Sequence, residues 1–214
     1  MTNNIFKQAL LIFLCFSTIT LVSAQSSDGW ISLFNGKNLD GWKVGENAST
    51  FSFENGTIKV AGPKAHMYYM GEVGNHDFKN FEFKAQVMTM PGSNSGIYIH
   101  TNYQDGDWPK NGYEIQVNNS HTDWKRSGSL YDIVDIKENY AKDNEWYTTY
   151  IKVQDKRIIV KINDIVVVDY TEPEHPLMKD RAEHRLLSHG TFALQGHDPK
   201  SVIFYKDIMV KPLP

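Results

Sequence analysis

The chain has 214 residues, 41% hydrophobic and 22% charged, which is ordinary globular composition and excludes a chain that is mainly disordered. Twenty-two Lys and Arg stand against 25 Asp and Glu, a net charge of −3, so there is no electrostatic footprint for nucleic acid or an anionic membrane. Aromatic residues reach 13%, which suits both β-structure and stacking against sugars.

The first element in chain order is an address. Lys7 precedes an apolar run over residues 9–22, and Val22-Ser23-Ala24 supplies small residues for cleavage after Ala24. The run is short of the roughly 20 apolar residues that a spanning helix needs. The expectation is a signal peptide over residues 1–24 and a secreted or periplasmic domain over 25–214, with no membrane partner after cleavage. The single cysteine, Cys15, lies in the run, so this domain is expected to fold without a disulfide.

Strands are predicted over residues 30–34, 50–53 and 57–61, the last two joined by Asn55-Gly56, a strong hairpin signal. Further strands fit residues 67–70, 81–87, 96–101 and 113–118; Phe81-Glu82-Phe83-Lys84-Ala85-Gln86-Val87 alternates with period two. A meander over 146–153, 157–162 and 165–170 turns at Asp155-Lys156 and Asn163-Asp164. A short helix fits 178–187, and strands over 190–195 and 202–210 close the chain. About twelve short strands, with turn signals every 8–12 residues or so and no linker or repeat, predict one all-β domain, a two-sheet antiparallel sandwich of jelly-roll type.

Strand parity then sorts residues onto faces. With Ile97 and Ile99 inward, Tyr98 and His100 point outward; with Ile115 and Val117 inward, Glu114, Gln116 and Asn118 point outward; with Phe192 and Leu194 inward, Gln195 and His197 point outward. Tyr131 and Asp132, at a loop-to-strand transition, are further candidates. A solvated face is expected to be rich in Lys and Thr. Amides, an acid, imidazoles and a phenol instead suit a hydroxyl-rich ligand. No zinc-protease H-E-x-x-H, Gly-rich phosphate loop or G-x-S-x-G elbow is present.

Several segments occur in a recognisable order. Residues 29–42 read GWISLFNGKNLDGW, and Asp77-Phe78-Lys79-Asn80-Phe81-Glu82-Phe83 follows. Then come Asn94-Ser95-Gly96-Ile97-Tyr98, Gly112-Tyr113-Glu114-Ile115-Gln116, Ser127-Gly128-Ser129-Leu130-Tyr131, and a closing stretch over 190–195. Together they resemble the 3-keto-disaccharide hydrolase family. The resemblance implies the concanavalin-A-like lectin/glucanase sandwich and cleavage of glycosides already oxidised to a ketone at C3. It also implies a partner oxidoreductase, a sugar 3-dehydrogenase, to make that substrate. Two positions depart from the commoner pattern: His100 stands where many members carry Arg, and Asn118 and Asn119 follow where many carry Asp.

The chemistry can be argued from residue types. Retaining glycosidases need two carboxyl groups about 5–5.5 Å apart, whereas the run here is Glu114-Ile115-Gln116-Val117-Asn118, with one acid. A C3 ketone relaxes the demand, because it acidifies the C2 proton and one base can start an elimination. Glu114 or His100 is expected as the base and His197 as the acid for the leaving group. Tyr98, Gln116, Asn118, Tyr131, Asp132, Gln195 and Trp108 are expected to bind the sugar. A divalent cation could polarise the ketone, with Glu114 or a His as ligand; the sequence neither requires nor excludes it. The alternative is a non-catalytic, lectin-like carbohydrate-binding module.

Overall fold

The computed structural model describes residues 28–176 and 185–214. The expected signal peptide over 1–24 and most of the expected helix over 178–187 lie outside the described residues; 185–187, which are described, are not helical. Among the described residues no helix is long and apolar enough to cross a membrane.

The strands in chain order are β1 (Ile31–Ser32), β2 (Trp42–Val44), β3 (Phe51–Glu54), β4 (Thr57–Ala61), β5 (Ala65–Tyr69), β6 (Phe81–Thr89), β7 (Ser95–Thr101), β8 (Tyr113–Val117), β9 (Tyr147–Gln154), β10 (Arg157–Ile162), β11 (Ile165–Thr171), β12 (Thr191–Gly196) and β13 (Val202–Pro212). They form two antiparallel sheets. The larger runs β11-β10-β9-β6-β13-β4-β3, with β1 on β13, and the smaller runs β2-β5-β12-β7-β8. The jelly-roll sandwich expected from the strand count is therefore the fold. The short β2 carried no strand signal of its own; it pairs with β5 and is held by Trp42, whose indole Nε1–H donates to the Leu33 carbonyl at 2.8 Å.

Local chemistry explains the hairpins. Asn55 and Gly56 both take positive φ (49° and 80°), the two left-handed positions that match the twist of β3 and β4. Asn163 and Asp164 do the same between β10 and β11.

The two sheets bury their strands differently. Along β6 the residues alternate between buried and half-buried, so one face meets the core and the other meets solvent. In β5, β7, β8 and β12 every residue is buried, so the smaller sheet is covered on both faces. One cover is the sandwich core. There Phe192 of β12 packs against Phe78, Phe81 and Phe83, with ring centroids 4.8, 4.9 and 4.8 Å away. Ser95 ties the sheets together: its Oγ donates to the Gln195 carbonyl at 2.6 Å and lies 2.8 Å from the Tyr205 hydroxyl across the core. The second cover consists of loops, and it lies over the polar face.

Phe192→Ala empties the centre of this aromatic cluster. It is expected to cost about 3–5 kcal/mol of stability, read from the urea midpoint at unchanged slope; a loss under about 1 kcal/mol would show that the sheets are held elsewhere.

Candidate active site on the outer face of the smaller sheet

Register fixes which residues stand side by side. Tyr98 of β7 pairs with Glu114 of β8 and with Ala193 of β12, and Ala193 pairs with Tyr68 of β5. One row along, Gly96 pairs with Gln116, and Gln195 pairs with His66. Two rows of outward side chains thus cross neighbouring strands, with the small residues Ala193 and Gly96 as gaps between tall ones.

Glu114 is the centre. It is 5% exposed. The Tyr98 hydroxyl donates to Oε2 at 2.8 Å and the Gln195 amide donates to Oε1 at 3.0 Å, while the same amide reaches the Tyr98 hydroxyl at 3.1 Å. Arg185 Nη2 stands 3.8 Å from Oε2, and Arg185 Nη1 is held by the Tyr131 carbonyl at 2.7 Å. Burial pushes the Glu114 carboxyl up from the usual carboxylate range, against the opposing pull of Arg185, Tyr98 and Gln195. Burial first, and then the Glu114 charge, hold the Tyr98 phenol well above its ordinary value. The carboxylate leans over Gly96, where an added Cβ would stand 2.5 Å from Oε1. That place needs glycine.

Around this centre polar atoms are left open. Seven buried side-chain nitrogen or oxygen atoms lack a hydrogen-bond partner among the described residues, and five belong to this face: both ring nitrogens of His66, the Tyr68 hydroxyl, Gln116 Oε1 and Gln195 Oε1. Such atoms are costly to bury unsatisfied. Together they offer donors and acceptors of the kind that sugar hydroxyls complete. Trp108, 41% exposed, covers the far side, its ring 5.4 Å from that of His66 and 5.6 Å from that of His197. His197 Nδ1 lies 2.9 Å from Asp198 Oδ2, and the His121 ring is 5.7 Å away.

The structure thus brings Tyr98, Glu114, Gln116 and Gln195 together on one face, with Trp108 and His197 at its rim and Tyr131 beside it. Residues 128–131 run along β8, with the Tyr131 N–H donating to the Glu114 carbonyl at 3.0 Å. The Tyr131 ring lies under two cations, Lys125 at 4.0 Å and Arg185 at 5.2 Å.

Three expected residues are placed otherwise. His100 does not share the face. From Thr101 to Tyr98 β7 advances three residues while β12 advances two, from Thr191 to Ala193, so β7 carries a bulge. His100 takes φ 54° there, and its ring turns to the core-facing Phe81, 5.6 Å away. Nε2 meets the Lys79 carbonyl at 2.9 Å and Nδ1 accepts the Ser188 N–H at 3.2 Å. Both nitrogens are engaged by backbone, so His100 has no lone pair for catalysis. Asn118 points outward but is fully committed. It donates to the Asp123 and Lys125 carbonyls and accepts from the His121 N–H and Arg126. Asp132, at φ 62°, is paired with Lys125 at 2.7 Å.

Arg185, His66 and Tyr68 were missed. Parity applied to residues 66–70 would have exposed His66 and Tyr68. Arg185 carried no local signal, since its partners are distant in sequence. Among the described residues no three His, Cys, Asp or Glu side chains group to hold a metal ion. The surroundings of Glu114 also fit a cation poorly, because a phenol, an amide N–H and a guanidinium all present hydrogens to it.

Two buried neutral imidazoles make stability depend on acid. Burial lowers His66 from 6.5 to about 3 and His100 to about 4. The unfolded chain binds these protons near pH 6.5 and the folded chain only far below, so stability falls as pH drops from about 6.5 toward 4. At pH 4.5 the loss is on the order of 2 kcal/mol per histidine. Urea unfolding at pH 7.5 and 4.5 measures it. The difference should shrink in His100→Gln, and a flat profile in the unsubstituted chain would refute it.

Comparison with known proteins agrees with this architecture. The model of the 3-keto-alpha-glucoside-1,2-lyase-like domain matches residues 29–211. A 3-keto-disaccharide hydrolase of Bacteroides thetaiotaomicron is 29% identical over 173 residues, 67% of this chain, which spans 59% of that relative's length. A structure from Parabacteroides distasonis, provisionally described as a glycosyl hydrolase, superposes with a TM-score of 0.75 at 20% identity, covering 91% of this chain and 99% of its own. The carbohydrate-binding module CBM66 of Bacillus subtilis shares the fold, with a TM-score of 0.59 at 13% identity over 81% of this chain and 97% of its own. With the family model covering nearly all of the described strands, and the motifs at 94–98, 112–116 and 190–195 lying on the strands that carry the face just described, the chain belongs to the 3-keto-alpha-glucoside-1,2-lyase-like domain family.

Proposed function

We propose that this protein cleaves the glycosidic bond of sugars carrying a ketone at C3, with Glu114 as the base that removes the C2 proton. The observation that carries the reading is a buried carboxylate beside unpartnered hydroxyl-binding atoms on one sheet face. A single carboxylate suffices because the ketone acidifies C2. The C2–H pair becomes the C2=C3 bond of an enolate whose charge rests on the C3 oxygen. When the carbonyl re-forms, the pair moves to C1=C2 and the C1–O bond breaks. Water added across C1=C2 completes a net hydrolysis.

The residues present serve these steps. Tyr98 and Gln195 aim the carboxylate, and burial raises its basicity. Gln116 and Gln195 accept sugar hydroxyls through their open oxygens. Tyr131 and Trp108 offer rings at the rim. His197, oriented by Asp198, protonates the departing oxygen. We also place the reaction outside the cytoplasm, on the strength of the apolar run over residues 9–22. The reaction requires an upstream oxidation at C3, the step a sugar 3-dehydrogenase performs.

A binding module without catalysis would need the amides and rings but not a buried carboxylate, whose desolvation is costly. Glu114 therefore favours the enzyme. Turnover of a 3-keto-glucoside in D2O, followed by NMR, tests both readings. Deuterium is expected at C2 of the products, and Glu114→Gln is expected to lower kcat by about 10²–10⁴. Unchanged turnover in Glu114→Gln would remove the proposed base, and saturable binding with no bond cleavage would establish the module.

A further inference from the structure

The enolate oxygen needs a hydrogen-bond donor in a water-poor site, and the donors on this face can be sorted by what they already hold. The Tyr98 hydroxyl is given to Glu114, the Gln195 amide to Glu114 and Tyr98, and the Gln116 amide to Asn94 Oδ1 at 3.1 Å. Arg185 is divided between the Tyr131 carbonyl and Glu114. Gln116 keeps one further N–H beside the one on Asn94, and two side chains in the two rows have a donor group with no partner at all, His66 and Tyr68.

Position separates them. The His66 ring lies edge-on to that of Tyr98, with centroids 5.4 Å apart, and Tyr98 is the residue that bonds Glu114. His66 also pairs across the strands with Gln195, the other residue on Glu114. Imidazole and carboxylate thus flank the same phenol and the same amide. His66 comes from β5 and Glu114 from β8, so a sugar ring lying across Tyr98 and Gln195 would turn C2 toward the carboxylate and the C3 oxygen toward the imidazole. Tyr68 lies one row along, and its ring pairs with those of Tyr103, at 5.5 Å, and His66, at 6.5 Å.

We propose that His66 is a second catalytic residue, a neutral imidazole whose N–H donates to the C3 oxygen and stabilises the enolate while Glu114 holds the C2 proton. The inference rests on the reading that the substrate carries a C3 ketone. In this step the C2–H bond breaks toward Glu114, its electron pair forms C2=C3, and the carbonyl π pair becomes the oxyanion that accepts from His66. No proton leaves the imidazole, and the charge returns to carbon when C1–O breaks. The other ring nitrogen accepts a substrate hydroxyl.

The burial of His66, 1% exposed under Trp108, matches this role. Burial and the nearby Lys64 charge keep the ring neutral, down to about 3. The Asp107 backbone and charge favour the charged form but are outweighed by burial and Lys64, and neither nitrogen meets hydrogen-bond geometry with a described residue. A neutral imidazole stabilises an enolate without giving up its proton, as in enolising isomerases.

The test is the rate of C2 hydrogen–deuterium exchange of a 3-keto-glucoside in D2O, measured with its KM. His66→Leu is expected to lose about 10²–10³ in exchange rate with KM changed less than tenfold. His66→Gln, which keeps an N–H, is expected to recover at least about tenfold over the leucine variant, and Tyr68→Phe to lose less than tenfold. Exchange in His66→Leu within about threefold of the unsubstituted protein, or the loss following Tyr68→Phe instead, overturns the assignment while leaving the 3-keto reading intact. If the unsubstituted protein neither exchanges C2 nor cleaves, the 3-keto reading itself falls, and this inference with it. Should the leucine variant not fold, ¹⁵N NMR of the unsubstituted protein decides: the His66 N–H is expected to move downfield on saturation with the keto sugar, and an unmoved resonance overturns the proposal.

Discussion

The arrangement depends on a carboxylate buried on the outside of a sheet. The outer face of an antiparallel sandwich sheet ordinarily meets water, where Glu114 would cost nothing to place. Here loops cover the face, so the charge of Glu114 must be supported from within the protein. Tyr98, Gln195 and Arg185 supply that support, Tyr98 from the neighbouring β7 and the other two from a stretch more than 70 positions beyond Glu114 in sequence. Adjacent strands exist to bring these groups into reach of one another, and the gap at Gly96 exists to receive the carboxylate.

The same burial explains why so many polar atoms on this face are open. A protein that shields a carboxylate from water also shields its neighbours, and their remaining donors and acceptors then have nothing to bind except one another or a ligand. Gln116, Gln195, Tyr68 and His66 keep such atoms. Asn118, on the same face, keeps none, because it is spent on organising the loop over residues 121–126. Side chains of similar chemistry, on one face, therefore divide into scaffold and site by what else can reach them.

Much of this was legible beforehand. Period-two alternation in 81–87 and the paired turn residues at 55–56 and 163–164 announced an antiparallel sandwich, because hydrophobic pattern and turn geometry are local properties of the chain. Parity within β8 placed Glu114 and Gln116 on one face, and within β12 it added Gln195. It failed at His100, where one extra residue in β7 reverses the alternation; a bulge depends on the pairing with β12 and leaves no mark in the residues around it. It was silent on Arg185, whose guanidinium reaches Glu114 across 71 positions of sequence.

The sequence by itself determined most of the strands, their inward and outward faces away from the bulge in β7, the single acid in the run from Glu114 to Asn118, and the family motifs. These follow from side-chain type and spacing within a few residues. Tertiary structure alone decided which outward polar groups face a common hollow, which of them are used up on backbone, and which cation stands beside the carboxylate. Those outcomes depend on strand order, a bulge and loop covering. They are set by contacts between segments whose separation along the chain carries no local periodicity to read.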